Sequence, residues 1–200
     1  MSVLDVFRID GARALVTGAS RGIGRAVALV LVPLPATFAP SHHLARAPHR
    51  TPRAPPFGRT TLLSKHVLAR STRPSLILQS SVGGLIGPPL LDARAASKAG
   101  QLSLTRSPAT GWARQDIRVD AVCPGWGHTD MTSFASGTDE LSDWLMAHAP
   151  PGRWGEPEEV AYAVLYLASP ASAFATGYSL GIGGGLSVPD AGLAGIPKPL

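Results

Sequence analysis

Thr17-Gly18-Ala19-Ser20-Arg21-Gly22-Ile23-Gly24 is the stretch that decides the fold. The apolar run Ala12–Thr17 before it reads as a short buried strand, and Gly22–Leu31 after it reads as a helix. Strand, glycine-rich turn and helix together form the opening unit of a doubly wound α/β fold. A phosphate at such a turn needs close backbone approach, free N–H groups and a positive helix end. Gly18 permits the sharp turn, Gly22 removes a side chain beside a pyrophosphate, and Gly24 lets the helix pack on the strand. Gly18, Ser20, Arg21, Gly22, Ile23 and Gly24 are therefore the candidate nucleotide-binding residues.

Moving outward, the pattern breaks. Pro33, Pro35, Pro40, Pro48, Pro52, Pro55 and Pro56 crowd Pro33–Phe57, together with His42, His43 and His49. Proline at this density denies both helix and central strand, because it lacks a donor and fixes φ. The segment 33–59 reads as irregular loop or disorder inside a single domain that spans 1–200. Order then resumes, with a helix expected over Thr60–Arg70 and a buried strand over Ser75–Gln79. A helix is expected over Ala95–Leu104, whose continuation to Ala113 is opposed by Pro108 and Gly111. Arg118–Cys123 reads as another strand, and Asp139–His148 as a short helix capped by Thr138. Glu156–Ala168 is the clearest helix: Pro157 is at the favoured first position, Glu158 and Glu159 suit the N-terminal dipole, and Val160, Val164, Leu165 and Leu167 face a core. Tyr178–Ile182 reads as a last strand and 189–200 as a loose tail.

The 200 residues suffice for one domain with a sizeable core. The formal charge is +5, but its source is local: Arg46, Arg50, Arg53, Arg59, Lys65, Arg70 and Arg73 fall in one stretch, and no acid occurs between Asp10 and Asp92. That stretch lacks interleaved aromatic residues apart from Phe57, so a nucleic-acid partner is not expected. Cys123 is the only cysteine, which leaves no intrachain disulfide and no thiolate-rich metal site. No signal-peptide pattern opens the chain, and the apolar run Ala26–Leu34 is too short to span a bilayer. A cytoplasmic protein without a membrane association is the expectation.

Several further motifs stand in order. They are Ser80-Ser81-Val82-Gly83-Gly84-Leu85, Ala96-Ser97-Lys98-Ala99-Gly100, Arg118-Val119-Asp120-Ala121-Val122-Cys123-Pro124-Gly125, Gly152–Ala161, and Thr176-Gly177 with Gly184-Gly185. With the glycine turn, this series resembles the short-chain dehydrogenase/reductase family, nearest to its bacterial-type 3-oxoacyl-thioester reductases and sugar dehydrogenases. The resemblance covers Val3–Val32 and roughly Thr60–Val188.

That resemblance implies a Rossmann-like parallel sheet and hydride transfer between NAD(P) and a small alcohol or carbonyl compound. It gives the substrate-orienting serine role to Ser81 and the lysine role, also a cofactor contact, to Lys98. Pro124, Gly125 and Thr129 match the turn that meets the nicotinamide carboxamide. The proton-transferring tyrosine of the family falls at position 94, which is Arg94. Arginine stays protonated and cannot act as a general acid. The chain contains no asparagine, so the family's asparagines are missing too, and Asp120 takes one of their places. Arg21 is the candidate contact for the extra phosphate of NADP, with NAD as the other cofactor. The family also implies a homo-oligomer, or pairing with a full-length homologue.

The resemblance lapses across 33–59, where the family places its second, third and fourth strands. The expected fold is thus a doubly wound sheet with central strands missing or replaced. Strand one then pairs directly with the strand Ser75–Gln79, or the proline-rich segment contributes something of its own. Three readings stay open: a degenerate member that still binds nucleotide or a partner, a weakly active enzyme with another proton route, or a reductase sequence joined to a segment read in the wrong frame.

Overall fold

The computed structural model describes residues 3–10, 15–17, 19–31, 37–39 and 74–188. A 3-10 turn, Val3–Phe7, precedes strand β1 (Leu15–Thr17) and helix α1 (Gly22–Leu31), so the expected opening unit forms. The expected helix over Thr60–Arg70, the tail 189–200 and Gly18 lie outside the described residues.

The proline-rich segment is not wholly irregular. Thr37–Ala39 forms strand β2, parallel to β1 in the register Leu15↔Thr37, Val16↔Phe38, Thr17↔Ala39. Pro35 and Pro40 flank this strand without entering it, so all three of its residues keep the N–H that a ladder needs. The density of prolines hid the four proline-free positions between Pro35 and Pro40, the last three of which form the strand. Among the described residues β1 pairs with β2 and not with Ser75–Gln79.

The remaining strands form a second parallel sheet in the order β3 (Ser75–Gln79), β4 (Arg118–Pro124), β5 (Ser179–Ile182). Two short helices, α2 (Gly83–Ile86) and α4 (Ser133–Ser136), follow β3 and β4. Helix α3 (Asp92–Trp112) crosses from β3 to β4, and α5 (Asp139–Ala147) with α6 (Pro157–Ala168) lies between β4 and β5. Parallel neighbours require such crossovers.

Strand β4 is buried along its length after Arg118, and its side chains alternate between two cores. Val119, Ala121 and Cys123 pack with Leu78 of β3 and with Leu102 and Ala109 of α3. Val122 packs on the other face with Ala26, Val27 and Leu31 of α1 and with Val160, Ala161, Val164 and Leu167 of α6. Val16 of β1 and Ile77 of β3 both border this second core, which therefore joins the two sheets through side-chain packing rather than strand pairing.

Helix α3 runs uninterrupted through Pro108 and Gly111, against the expected stop at Leu104. Its face Leu102, Thr105 and Ala109 is fully buried, and that packing outweighs the lost hydrogen bond at Pro108. Thr138 precedes α5 in extended conformation but makes no side-chain cap; its hydroxyl donates instead to the Phe134 carbonyl at 3.3 Å. Helix α6 starts as its sequence indicates, with Pro157 in the first turn and a capping box between Glu156 and Glu159. Among the described residues no helix is long and apolar enough to cross a membrane.

Candidate active site

The ends of β3, β4 and β5 and the start of α1 open into one cleft of about 630 Å3. Arg21, Gly22, Ile23, Gly24, Ser81, Arg94, Lys98, Pro124, Gly125 and Thr129 all line it. Of the described candidates only Ser20 does not; it is exposed on the turn before α1. This position, outside the carboxyl ends of parallel strands, is where open α/β sheets bind ligands.

Gly22 opens α1 with φ +52°, a conformation that side chains resist. A Cβ there would lie 3.5 Å from the Thr129 side chain, so the glycine turn and the turn after β4 meet at this point. Thr129 is itself fixed: its N–H donates to the Thr132 hydroxyl at 3.0 Å, and the two hydroxyls lie 3.0 Å apart. The Thr132 hydroxyl also donates to the Gly127 carbonyl at 2.6 Å.

The loop carrying Thr129 is pinned to the residues before α6. His128 N–H donates to the Gly155 carbonyl, and Gly155 N–H to the Trp126 carbonyl, both at 2.9 Å. Trp154 packs edge-on against Trp126 and stacks with His128, while its indole N–H donates to Ser142 of α5 at 2.8 Å. Sequence reading did not single out this clamp. The tryptophans were visible, but nothing local in the chain announces that 126 and 154 touch.

On the other wall, Ser81 follows β3. Val82 N–H donates to the Pro124 carbonyl at 2.9 Å, which ties the serine loop to the Pro-Gly turn. Ser81 Oγ accepts the Gly83 N–H at 3.2 Å, leaving its own proton available to a ligand. Ser80 donates to the Lys98 carbonyl at 2.9 Å. Gly84 lies so close to α3 that a Cβ would come within 2.7 Å of the Lys98 carbonyl carbon. These contacts seat the serine loop on the helix turn that bears Lys98.

The Lys98 ammonium donates to the main-chain carbonyl of Gln79 at 2.9 Å and to Gln101 Oε1 at 3.1 Å. Burial lowers its pKa, and the Arg94 guanidinium one helical turn earlier lowers it further. Gln101 was also missed from sequence, although its spacing of three residues from Lys98 on one helix face was a usable signal. Cys123 lies beneath, fully buried, and burial pushes its thiol up, consistent with a packing residue rather than a nucleophile.

The residues present fit a nicotinamide dinucleotide. The positive φ of Gly22 at a helix start, free of a Cβ, suits a pyrophosphate, and Lys98 presents its charge beside the strand ends.

A family model described as enoyl-(acyl carrier protein) reductase matches residues 59–187. The chain belongs to the short-chain dehydrogenase/reductase family. The match begins where the proline-rich segment ends. The chain is 41% identical to a 3-oxoacyl-(acyl-carrier-protein) reductase of Thermotoga maritima over 57% of its own length and 46% of that protein's. It is 33% identical to the 2-(S)-hydroxypropyl-CoM dehydrogenase 3 of Xanthobacter autotrophicus, over 92% of the chain and 74% of that relative. Among solved structures, a gluconate 5-dehydrogenase of Burkholderia cenocepacia in complex with NADP and tartrate superimposes with a TM-score of 0.75 at 26% identity, over 93% of this chain and 99% of that one. This short-chain dehydrogenase/reductase spans about half the length of the first of these relatives.

Proposed function

We propose that the protein binds NADP, or NAD in its place, in the cleft between Gly22 and Lys98. In this reading it descends from alcohol/carbonyl oxidoreductases and is impaired in turnover. One observation supports the reading: Arg94, at the position that the resemblance gives to the family's tyrosine, lines the same cleft as Lys98 and Ser81. The dinucleotide, when bound, supplies or accepts the hydride. Thr129 and the Pro124-Gly125 turn hold its nicotinamide end, the Gly22 turn receives its phosphates, and Arg21 favours the additional phosphate of NADP. Ser81 offers a hydroxyl proton to a substrate oxygen. Arg94 supplies positive charge and hydrogen-bond donors there in place of a general acid. The loss of a positioned acid/base costs roughly 10²–10⁴ in rate. The NADP in the gluconate 5-dehydrogenase structure supports the choice of cofactor.

The test combines two measurements on the full chain, the melting temperature against NADPH concentration and the rate of NADPH oxidation with small ketones and 3-oxoacyl thioesters. A melt that rises with NADPH, turnover near background, and a gain in Arg94→Tyr are expected. A melt indifferent to NADPH overturns the binding reading. Ordinary turnover by the unaltered chain overturns the impairment. Binding with no gain in Arg94→Tyr leaves a nucleotide-binding protein without catalysis.

A further inference from the structure

The charge balance of the cleft points to a ligand that the family's hydride chemistry does not call for. Arg94 and Lys98 stand four residues apart on α3, hence on one face, and both line the cavity. Neither meets a carboxylate among the described residues. Lys98 spends two of its three donors on neutral oxygens, the Gln79 carbonyl and the Gln101 amide. Arg94 is exposed, and none of its five donors meets a hydrogen-bond acceptor among the described residues.

The acids of the cleft do not neutralise this pair. Glu159 is held by Arg153 at 2.7 Å and by the Glu156 amide, also at 2.7 Å. Glu156 lies 3.9 Å from His128. Asp130 belongs to the loop after Thr129, and its side chain forms no ion pair with either cation. Two like charges one turn apart repel each other, and an anion between them removes that cost.

We propose that Arg94 and Lys98, with the Ser81 hydroxyl, form a binding site for a small carboxylate anion in the cleft. This rests on the reading of the cleft as a retained nucleotide site and names the class of its second ligand. The guanidinium fork matches a carboxylate with two parallel hydrogen bonds, a geometry that a tyrosine at 94 does not offer. The remaining Lys98 N–H and the Ser81 proton add two further donors. The substitution at 94 thereby converts a site that protonates an oxygen into one that retains an anion.

The experiment is a calorimetric titration of the full chain with malonate at constant ionic strength, with its uncharged diamide as control. NADPH binding is measured on the same samples. Saturable malonate binding is expected, with none for the diamide. Arg94→Gln should weaken it roughly tenfold or more, because the two charge-assisted hydrogen bonds of the fork are lost. Arg94→Lys, which keeps the charge and loses the fork, should fall between. Arg94 is exposed, so these variants are expected to fold, and their melts check that. A chain that binds NADPH but shows no malonate binding, or binds it equally in Arg94→Gln, overturns the anion site and leaves the cofactor reading intact. A chain that binds neither overturns both.

Discussion

The Thr129 side chain stands directly over Gly22, where a Cβ would lie 3.5 Å from both Cβ and Cγ2 of the threonine. The contact joins the turn before α1 to the turn after β4. It does so although β1 and β4 belong to different sheets. The cleft therefore depends on the packing of α1 against α6, which carries the β1–β2 pair to the rest of the fold.

Gly22→Ala tests this junction. The added methyl meets Thr129 at an ordinary contact distance, so the cost comes from φ +52° rather than from a clash. A non-glycine residue in that region costs about 1–2 kcal/mol, which for a chain of this size lowers the melting temperature by roughly 2–8 °C. In the proposed function the Gly22 turn receives the cofactor phosphates, and the methyl would crowd that turn. NADPH affinity should fall by more than the loss of stability explains; an unchanged affinity would remove Gly22 from the cofactor site.

Lys98 gives a second test through its titration. Burial first, and Arg94 second, hold its pKa below the ordinary lysine value. Between the depressed and the ordinary value the folded chain binds fewer protons than the unfolded one. Stability therefore rises with pH across that window, and the burial of Lys98 is a cost at neutral pH. Arg94→Gln removes the second cause and leaves the first. The Lys98 pKa should move part of the way up, and the chain should gain stability near pH 7. Titration of the isotopically methylated lysine measures this. An unmoved pKa would show that the two cations do not sense each other.

The carboxyl of Asp120, at a position where the family resemblance implies an asparagine, is fully buried. Oδ1 accepts the Tyr178 N–H at 3.1 Å, whereas Oδ2 lies 3.5 Å from Arg118 and has no hydrogen-bond partner. Burial raises its pKa, with the Tyr178 amide and Arg118 opposing. The folded chain holds this proton over a range where the unfolded chain has lost it, so this group's contribution falls as pH rises through that range. Asp120→Asn keeps the acceptor for Tyr178 and removes the buried charge, while Arg118 retains the Leu167 carbonyl at 2.7 Å. The variant should melt higher at pH 7, by the equivalent of roughly 1 kcal/mol, because an unsatisfied buried charged oxygen costs at least that much. Its stability should also lose part of its slope in the pH range above the ordinary aspartate value, where the raised pKa of Asp120 acts. A lower melt would mean that the Arg118 pairing outweighs the desolvation of Asp120.

The opening unit was legible because its glycines and apolar spacing act on their own neighbours, whereas the serine loop, the lysine helix and the Pro-Gly turn were legible through their resemblance to the family's motifs. Strand β2 was not, because its three residues between Pro35 and Pro40 form a strand only by pairing with β1. The Trp126–Trp154–His128 clamp and the Gln79 carbonyl on Lys98 are likewise products of the fold, with no signature at either end. Arg94 was legible as a departure. Its freedom from any acid among the described residues emerged only with the arrangement of Glu156 and Glu159 around their own partners.

Helix α3 shows the same limit from the other side, and gives the last test. Pro108 and Gly111 both oppose a helix, yet α3 continues to Trp112. Its buried face of Leu102, Thr105 and Ala109 holds it against β4. If packing rather than propensity keeps this stretch helical, the local cost is still present and can be relieved. Pro108→Ala restores the N–H for the Leu104 carbonyl. The gain is about 3 kcal/mol for the helix, less up to about 1 for a looser unfolded chain, leaving roughly 2. Gly111 is exposed, and a Cβ there meets nothing within 4 Å, so Gly111→Ala should add about 0.5–1 kcal/mol. Denaturant unfolding of the two variants and their combination measures both gains, with the slope m expected to stay constant. A loss of stability in Pro108→Ala would mean that the proline sets a bend which seats Leu102 and Ala109 on the sheet. The residue would then be part of the packing that it was expected to interrupt.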